Sequence, residues 1–285
     1  MTNWVELSTS CDRNRFHKLS EWMSQNQIEN RVEFVETTLD NFAAEIEVAK
    51  KNYKQIRIGG ELRTAIREVF VSLPSNIMTI GSADGILWNG QDWWPRNYLI
   101  EGISRSLSMD VKGLDTSQGA FISGTTPDCR ALVYVLSRLG FKKFSISDSD
   151  EDRGEAFCRE LERYFFSIQF QFVPRHLITQ LPAVHSVAAN TLTGGMDAGI
   201  TSELIYLNFL SSGGVWLDLV PQNESKELKS EALNVGAKVI DAYQVLARTD
   251  RAWVEASFGR SLEIETLFSM YKELYPGTST INSDV

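Results

Sequence analysis

Residues 121–148 read FISGTTPDCRALVYVLSRLGFKKFSISD, and the order of residue types in this stretch decides the fold. Phe121 and Ile122 close an apolar run that suits a buried strand. Leu132, Val135, Leu136 and Leu139 recur at helical spacing and form one apolar face. Thr125 or Thr126 can cap that helix, and Pro127 suits its first position because the missing N–H there has no intrahelical partner to lose. Gly140 is placed to end it in the left-handed conformation. FSIS is then a second strand ending at Asp148. Strand, turn, helix and strand make one βαβ unit, which requires a parallel sheet.

The turn SGTTPD carries one glycine where a dinucleotide-binding turn uses two or three. Gly124 can supply the tight bend. Thr126 and Pro127 stand where further glycines would let the backbone approach a pyrophosphate, and Pro127 removes an N–H donor. Asp128 puts a carboxylate at the positive end of the helix, the place a phosphate would take. Asp148, at the end of the second strand, stands where an acid binds a ribose 2′-hydroxyl and rejects a 2′-phosphate. Two readings follow: a well-capped structural helix with no cofactor, or a degenerate site that prefers NAD.

Outward from this unit the chain keeps alternating. WVELSTS, RVEFVETT and YKQIRI read as strands, and RNRFHKLSEWMSQNQ and LDNFAAEIEVAKK as amphipathic helices between them. ELRTAIREVFVSL is a further helix stopped by Pro74, and NIMTIG a short strand. A hairpin turns at Asn89-Gly90, with Trp88, Trp93 and Trp94 either buried in it or exposed as a partner surface. YLIEGISRSLS is a helix, and VKGLDTSQGA a polar linker. Beyond residue 148, EDRGEAFCRELERYF is a helix with a charged solvated face, SIQFQFV a strand, ITSELIYLNFLSS a helix and GGVWLDLV a buried strand. SKELKSEALNVG is a helix, AKVIDA a strand, and two helices follow before a polar tail. This is an α/β chain with mainly parallel sheets.

Composition narrows the function classes. The 285 residues hold 28 Lys and Arg against 37 Asp and Glu, a net charge of −9, so a nucleic-acid partner is not expected. No apolar run suggests a membrane span, and the N-terminus has no signal-like pattern. Cys11, Cys129 and Cys158 are odd in number and widely spaced, which fits reduced thiols in a cytoplasmic protein. His17, His176 and His185 form no ligand-spaced pair, so no metal site is expected.

Several stretches together resemble the shikimate dehydrogenase family: CRALVYVLSRLGFKKFSISD, ANTLTGGMDA, GGVWLDLVPQNE, VGAKVIDAYQVLARTDRAWVEASFG and IGSADGILWNGQDWWPRNYLIEGISRSL. The likeness runs from about residue 4 to residue 260. It implies two domains: a substrate-type α/β domain at 1–107, joined by the C-terminal helices 246–285 folding back on it, and a Rossmann-like, doubly wound NAD(P)-binding-type domain at 108–245. It also implies an NAD(P)-dependent oxidoreductase if the chain is active.

The functional positions of the family are largely replaced. With His17 on the histidine of S-x-S-P-x-x-H-N, Cys11 and Arg13 take the places of the serines that anchor the substrate carboxylate, and Asn14 that of the proline. Glu61 takes the place of the catalytic lysine, with Arg63 as an alternative, and Leu99 that of its aspartate partner. Asp84 replaces the asparagine of V-N-T, and Thr249, next to Asp250, replaces a C-terminal glutamine. Asn97 and Gly102 are retained, as are Gly124, Arg130 and Ala131 of the glycine-rich loop. Asp148, Ser149 and Asp150 stand in place of the basic stretch that reads a 2′-phosphate. No residue is therefore assigned a catalytic role. The degenerate cofactor positions are Gly124, Thr125, Arg130 and Asp148, and the substrate-cleft positions are Glu61, Asp84, Asn97 and Thr249.

Leu99 cannot transfer a proton, and Glu61 can do so only if burial tunes it. Glu61 and Asp84 would repel an anionic substrate, by about 4 kcal/mol for each contact at ~4 Å and an effective dielectric near 20. The expected function is a non-catalytic shikimate dehydrogenase-like pseudoenzyme that binds a small molecule or a protein, with no cofactor expected. A divergent NAD-preferring dehydrogenase with an altered substrate is the alternative, and NADP-dependent shikimate dehydrogenation stands behind both. Ligand, partner and oligomeric state are open at this level.

Overall fold

The computed structural model describes residues 2–192, 207–221 and 226–275. Its backbone forms two compact units, Met1–Gly102 with Leu246–Leu274, and Ile103–Val245. The first division falls inside a helix, at Gly102. The polar tail and the stretch 193–206 lie outside the described residues.

The first unit opens with β1 (Thr2–Ser8), α1 (Arg13–Gln25), β2 (Asn30–Glu36), α2 (Leu39–Asn52) and β3 (Gln55–Ile58). The three strands are parallel in the order β2-β1-β3. The hairpin β4 (Gly85–Trp88) and β5 (Trp93–Arg96) extends the sheet antiparallel to β3 and turns at Asn89-Gly90, as expected. Trp88 and Trp93 face each other across the hairpin at 5.5 Å, and Trp93 packs on the core. Trp94 is 47% exposed, so the Trp-rich stretch is buried in part and exposed in part.

Strand alternation assigns the two faces of this sheet. Val5, Leu7, Ile56 and Ile58 pack with Phe42 and Ile46 of α2. Trp4, Glu6 and Ser8 are the alternate positions of β1 and point to the opposite face. The single helix expected from Glu61 is instead a 3-10 turn (Gly60–Arg63) and a short α3 (Ile66–Val69). The residues NIMTI, expected as a strand, lie in α4 (Ser75–Ile80). Pro74 sits at the cap of α4 and Gly81 ends it with φ +78°, so punctuation on both sides outweighs the β-branched content. The unit also contains the start of α5 (Leu99–Asp110) and most of α9 (Ala242–Phe258), with α10 (Glu265–Leu274) packed against α1.

The second unit is a doubly wound sheet. β6 (Gly119–Ser123), α6 (Pro127–Leu139), β7 (Lys143–Ser147), α7 (Glu151–Tyr164) and β8 (Gln169–Phe172) form its first half. β9 (His185–Asn190), β10 (Leu210–Asp218), α8 (Lys226–Asn234) and β11 (Lys238–Ile240) continue it. All six strands are parallel in the order β11-β10-β9-β6-β7-β8. The order reverses between β6 and β9, the switch point at which open α/β sheets bind ligands. The helix expected over 200–212 falls mostly outside the described residues, and its last residues, 210–212, belong to β10. Phe121, Phe209, Trp216 and Leu228 are central to this unit's core.

One buried charge ties the first unit together. Asp250 of α9 is fully buried and accepts from Arg15 Nε and Nη2 at 2.8 Å each, from Arg57 Nη2 at 3.2 Å and from Tyr271 Oη at 2.5 Å. The Arg57 guanidinium also lies 5.7 Å from the ring of Phe16, 5.6 Å from Tyr98 and 5.6 Å from Trp253. α1, β3, α9 and α10 thus meet at one carboxylate. Removing one partner of a buried, hydrogen-bonded ion pair leaves the other charges uncompensated, at a cost of about 3–5 kcal/mol. We therefore expect Asp250→Asn to lower the unfolding free energy in urea by about that amount; a change below roughly 1 kcal/mol, the scale of an exposed pair, would remove Asp250 from this role.

Candidate functional site

The turn singled out by the sequence lies at the carboxyl end of β6, beside the switch point. Gly124 has φ +100°, and a Cβ there would lie 2.6 Å from Thr191 Oγ1, so only glycine fits. Its N–H donates to Ser147 O at 2.7 Å. Thr126 is the helix cap, accepting from Cys129 N at 3.2 Å, with Pro127 at the first position and Gly140 at the end. Next to the turn, Thr191 Oγ1 donates to Ser123 O at 2.7 Å, and Ser123 Oγ donates to Asn190 Oδ1 at 3.2 Å.

Asp148 fills the mouth of this turn with its own carboxylate. Oδ2 accepts from Thr125 N at 3.0 Å and from Thr125 Oγ1 at 2.6 Å. Oδ1 accepts from Asp150 N at 3.1 Å and from Arg153 Nη2. Burial opposes ionisation here, but the Thr125 and Arg153 hydrogen bonds prevail and hold the carboxyl below its ordinary range. The Thr125 N–H, a donor that a phosphate would need, is therefore already given to an anion. Arg130 is paired with Glu160, and its guanidinium lies 4.7 Å from the centre of the Phe157 ring. With Pro127 lacking an N–H and Asp128 adding negative charge, the donor set does not fit a pyrophosphate.

In the first unit the expected positions have mixed fates. Asp84 is buried, and its carboxylate accepts from Tyr98 N at 2.7 Å and Leu99 N at 3.0 Å. It caps the start of α5, so its carboxylate is engaged by helix N–H groups. Asn97 Nδ2 donates to Ser82 O at 3.3 Å and to Ser82 Oγ at 3.2 Å, while its Oδ1 accepts from Ile100 N at 3.4 Å. Leu99 is buried. Glu61 is exposed on the 3-10 turn, and Arg63 is half-buried. Thr249 is buried in α9 beside Asp250.

Asp12 is the cap of α1, accepting from Arg15 N at 3.2 Å, so Arg13 holds the first helical position. Arg13 and Asn14 are exposed, Arg13 pairing with Glu36 at 3.3 Å. The Cys11 thiol is pushed up to about 12 by burial and then by Glu6, so it is a poor nucleophile.

Sequence reasoning missed Glu6. It lies in β1 opposite Arg57 in register and is buried. Asp12 N donates to its Oε1 at 3.5 Å, and its Oε2 has no hydrogen-bond partner. Burial raises its carboxyl to about 7, outweighing the nearby Arg15 and the Asp12 N–H. A carboxyl poised there can hold or release a proton at neutral pH. The available signal was an acid in a central strand of a parallel sheet, where an apolar residue is usual. Among the described residues no group of acids, histidines and cysteines could hold a metal ion.

No protein-family model matches the chain, and no curated protein matches it. Solved structures do. The ligand-free 5-ketofructose reductase of Gluconobacter sp. strain CHM43 is 14% identical with a TM-score of 0.78, covering 96% of this chain and 99% of that one. Mycobacterium tuberculosis shikimate dehydrogenase is 16% identical with a TM-score of 0.76, over 96% and 100% of the two chains. Shikimate 5-dehydrogenase of Listeria monocytogenes, solved with shikimate and NAD, is 12% identical with a TM-score of 0.80, over 95% and 96%. The two-domain α/β fold expected from the sequence is thus the fold of these enzymes.

The Glu6 carboxyl has a measurable consequence. Its folded value is raised from 4.5 to about 7, so over that window the unfolded chain has lost a proton that the folded chain keeps. Stability then falls as pH rises, by about 1.4 kcal/mol per pH unit, and the loss is complete above the folded value. Glu6→Gln removes this contribution. In urea unfolding, its stability relative to the natural chain should be near constant below pH 4.5 and improve steadily toward pH 7; parallel stability curves for the two proteins would show that Glu6 does not titrate in that window.

Proposed function

We propose that this protein, built on the fold of shikimate dehydrogenase and related reductases, is a pseudoenzyme with respect to dehydrogenation, a module that binds a small molecule or a protein and holds no dinucleotide. The observation that carries this reading is the Asp148 carboxylate on the Thr125 N–H and hydroxyl. A bound pyrophosphate would need that N–H and would meet Asp148 and Asp128 as like charges. The positions of the family's proton-transfer pair point the same way, since one is the exposed Glu61 and the other the buried Leu99. Among the described residues no helix is long and apolar enough to cross a membrane, and the net charge of −9 disfavours nucleic acid as the partner.

Glu6 favours a second reading, a divergent NAD-preferring dehydrogenase with an altered substrate. In it Glu6, not Glu61, exchanges the proton, because Glu6 is the carboxyl that burial brings to about 7. Asp148 would then have to leave Thr125 for a ribose hydroxyl.

Calorimetric titration of the folded protein separates these readings. No heat is expected with NAD, NADH, NADP or NADPH at millimolar concentration. Heat with NAD or NADH alone would replace the first reading with the second. Heat with NADP or NADPH would overturn both, since neither has a partner for a 2′-phosphate.

A further inference from the structure

A second site lies at the opposite, amino-terminal edge of the doubly wound sheet. A groove of about 730 Å³ opens there, with Lys143, Ser145, Phe170, Gln171, Leu181 and His185 among its lining residues. Lys143 and Ser145 alternate onto one face of β7, and Gln171 of β8 is the register partner of Ser145. Strands of a parallel sheet are usually apolar on both faces. Here one face of β7 and β8 carries Lys, Ser and Gln and borders open space, with no carboxylate among the described lining residues.

At the floor of the groove, Ser145 Oγ lies 2.9 Å from His185 Nε2, and His185 Nδ1 lies 3.1 Å from Phe209 O. A carbonyl oxygen only accepts, so Nδ1 carries the ring proton and Nε2 is the acceptor. Ser145 therefore donates to the imidazole. The ring is held edge-on to Phe121 and to Phe209, with centroids 6.0 Å apart in each case. It also sits against Gly119, where a Cβ would lie 3.1 Å from His185 Cδ2. The imidazole thus has one tautomer and one orientation. Burial lowers its affinity for a proton, which keeps it in the form that accepts one. Ser145 is only half-buried, so its hydroxyl is open to the groove.

Hydroxyl, base and a third group that orients the base are the parts of an activated nucleophile. We propose that Ser145 is an acyl-accepting serine, with His185 as its base, acting on small carboxylic esters that enter this groove. Ser145 Oγ attacks the ester carbonyl carbon and its proton passes to His185 Nε2. The bond from carbon to the alcohol oxygen breaks, and the alcohol leaves with that proton. Water then cleaves the acyl-serine by the same route in reverse, releasing the acid. Gln171 and Lys143 are the donors on the same face for the developing oxyanion, and the Lys143 ammonium favours esters with an anionic half. The site uses neither the Asp148 turn nor Glu6, so it stands or falls independently of the dinucleotide titrations.

The test uses a fluorophosphonate probe on the intact protein, with peptide mass spectrometry to locate the adduct. Attack by Ser145 Oγ on phosphorus expels fluoride and leaves a phosphonyl ester. We expect one adduct, on Ser145, forming at least tenfold more slowly in His185→Gln. No adduct on Ser145, or an equal rate in His185→Gln, would overturn the proposal. If His185→Gln does not fold, Ser145→Cys decides. The three natural thiols form a quiet background, because burial raises Cys11 and Cys158 to about 12 and Cys129 well above its ordinary value. If the thiol introduced by Ser145→Cys reacts with iodoacetamide at pH 7 at least tenfold faster than glutathione does, the proposal is supported; a thiol that reacts no faster refutes it.

Discussion

Asp250 is the point on which the first unit depends. It sits in α9, far along the chain from the strands it serves, and it accepts from Arg15, Arg57 and Tyr271 together. Each of those donors belongs to a different element. The two guanidinium groups are tolerable in the interior because a carboxylate and three aromatic rings surround them. The same grouping fixes the face of β1 and β3 on which Glu6 lies. Burial raises the Glu6 carboxyl to about 7, outweighing the opposing influence of Arg15, the Asp12 N–H and Arg57.

Asp148 plays the corresponding part in the second unit, with a different consequence. Its four hydrogen-bond donors all come from Thr125, Asp150 and Arg153. The loop is closed by its own side chain, and the helix behind it keeps a complete set of caps. Fold and cofactor chemistry therefore separate at this turn. Gly124, Thr126, Pro127 and Gly140 satisfy the geometry of a βαβ unit, whereas a phosphate would need donors that Asp148 and the proline have removed.

The alternation of strands and helices, the βαβ unit and the hairpin at Asn89-Gly90 were legible in the sequence, because each rests on periodicity or on a local turn rule, whereas the two-domain plan came from the family resemblance. The longest misread segment among the described residues, 61–80, is one where those signals are weak. Pro74 and Gly81 bound a helix of only six residues, too short to show a period. Site positions carried over from the resemblance fared unevenly. Gly124 and Thr125 were found at the turn, but Arg130 turned to Glu160 and Asp84 to the backbone of α5.

By itself the sequence determined the fold class, the place of the turn and the residues missing from it, since backbone preferences and side-chain identities are local properties. Tertiary structure decided what the charged groups do. That Asp84 caps a helix, that Asp148 accepts from its own loop and that the Glu6 carboxyl is raised to about 7 depend on burial and on partners that the fold brings together. The Ser145–His185 pair is of the same kind. Forty residues separate its members, and only the parallel packing of β7, β6 and β9 brings a hydroxyl to an imidazole whose other nitrogen is already committed.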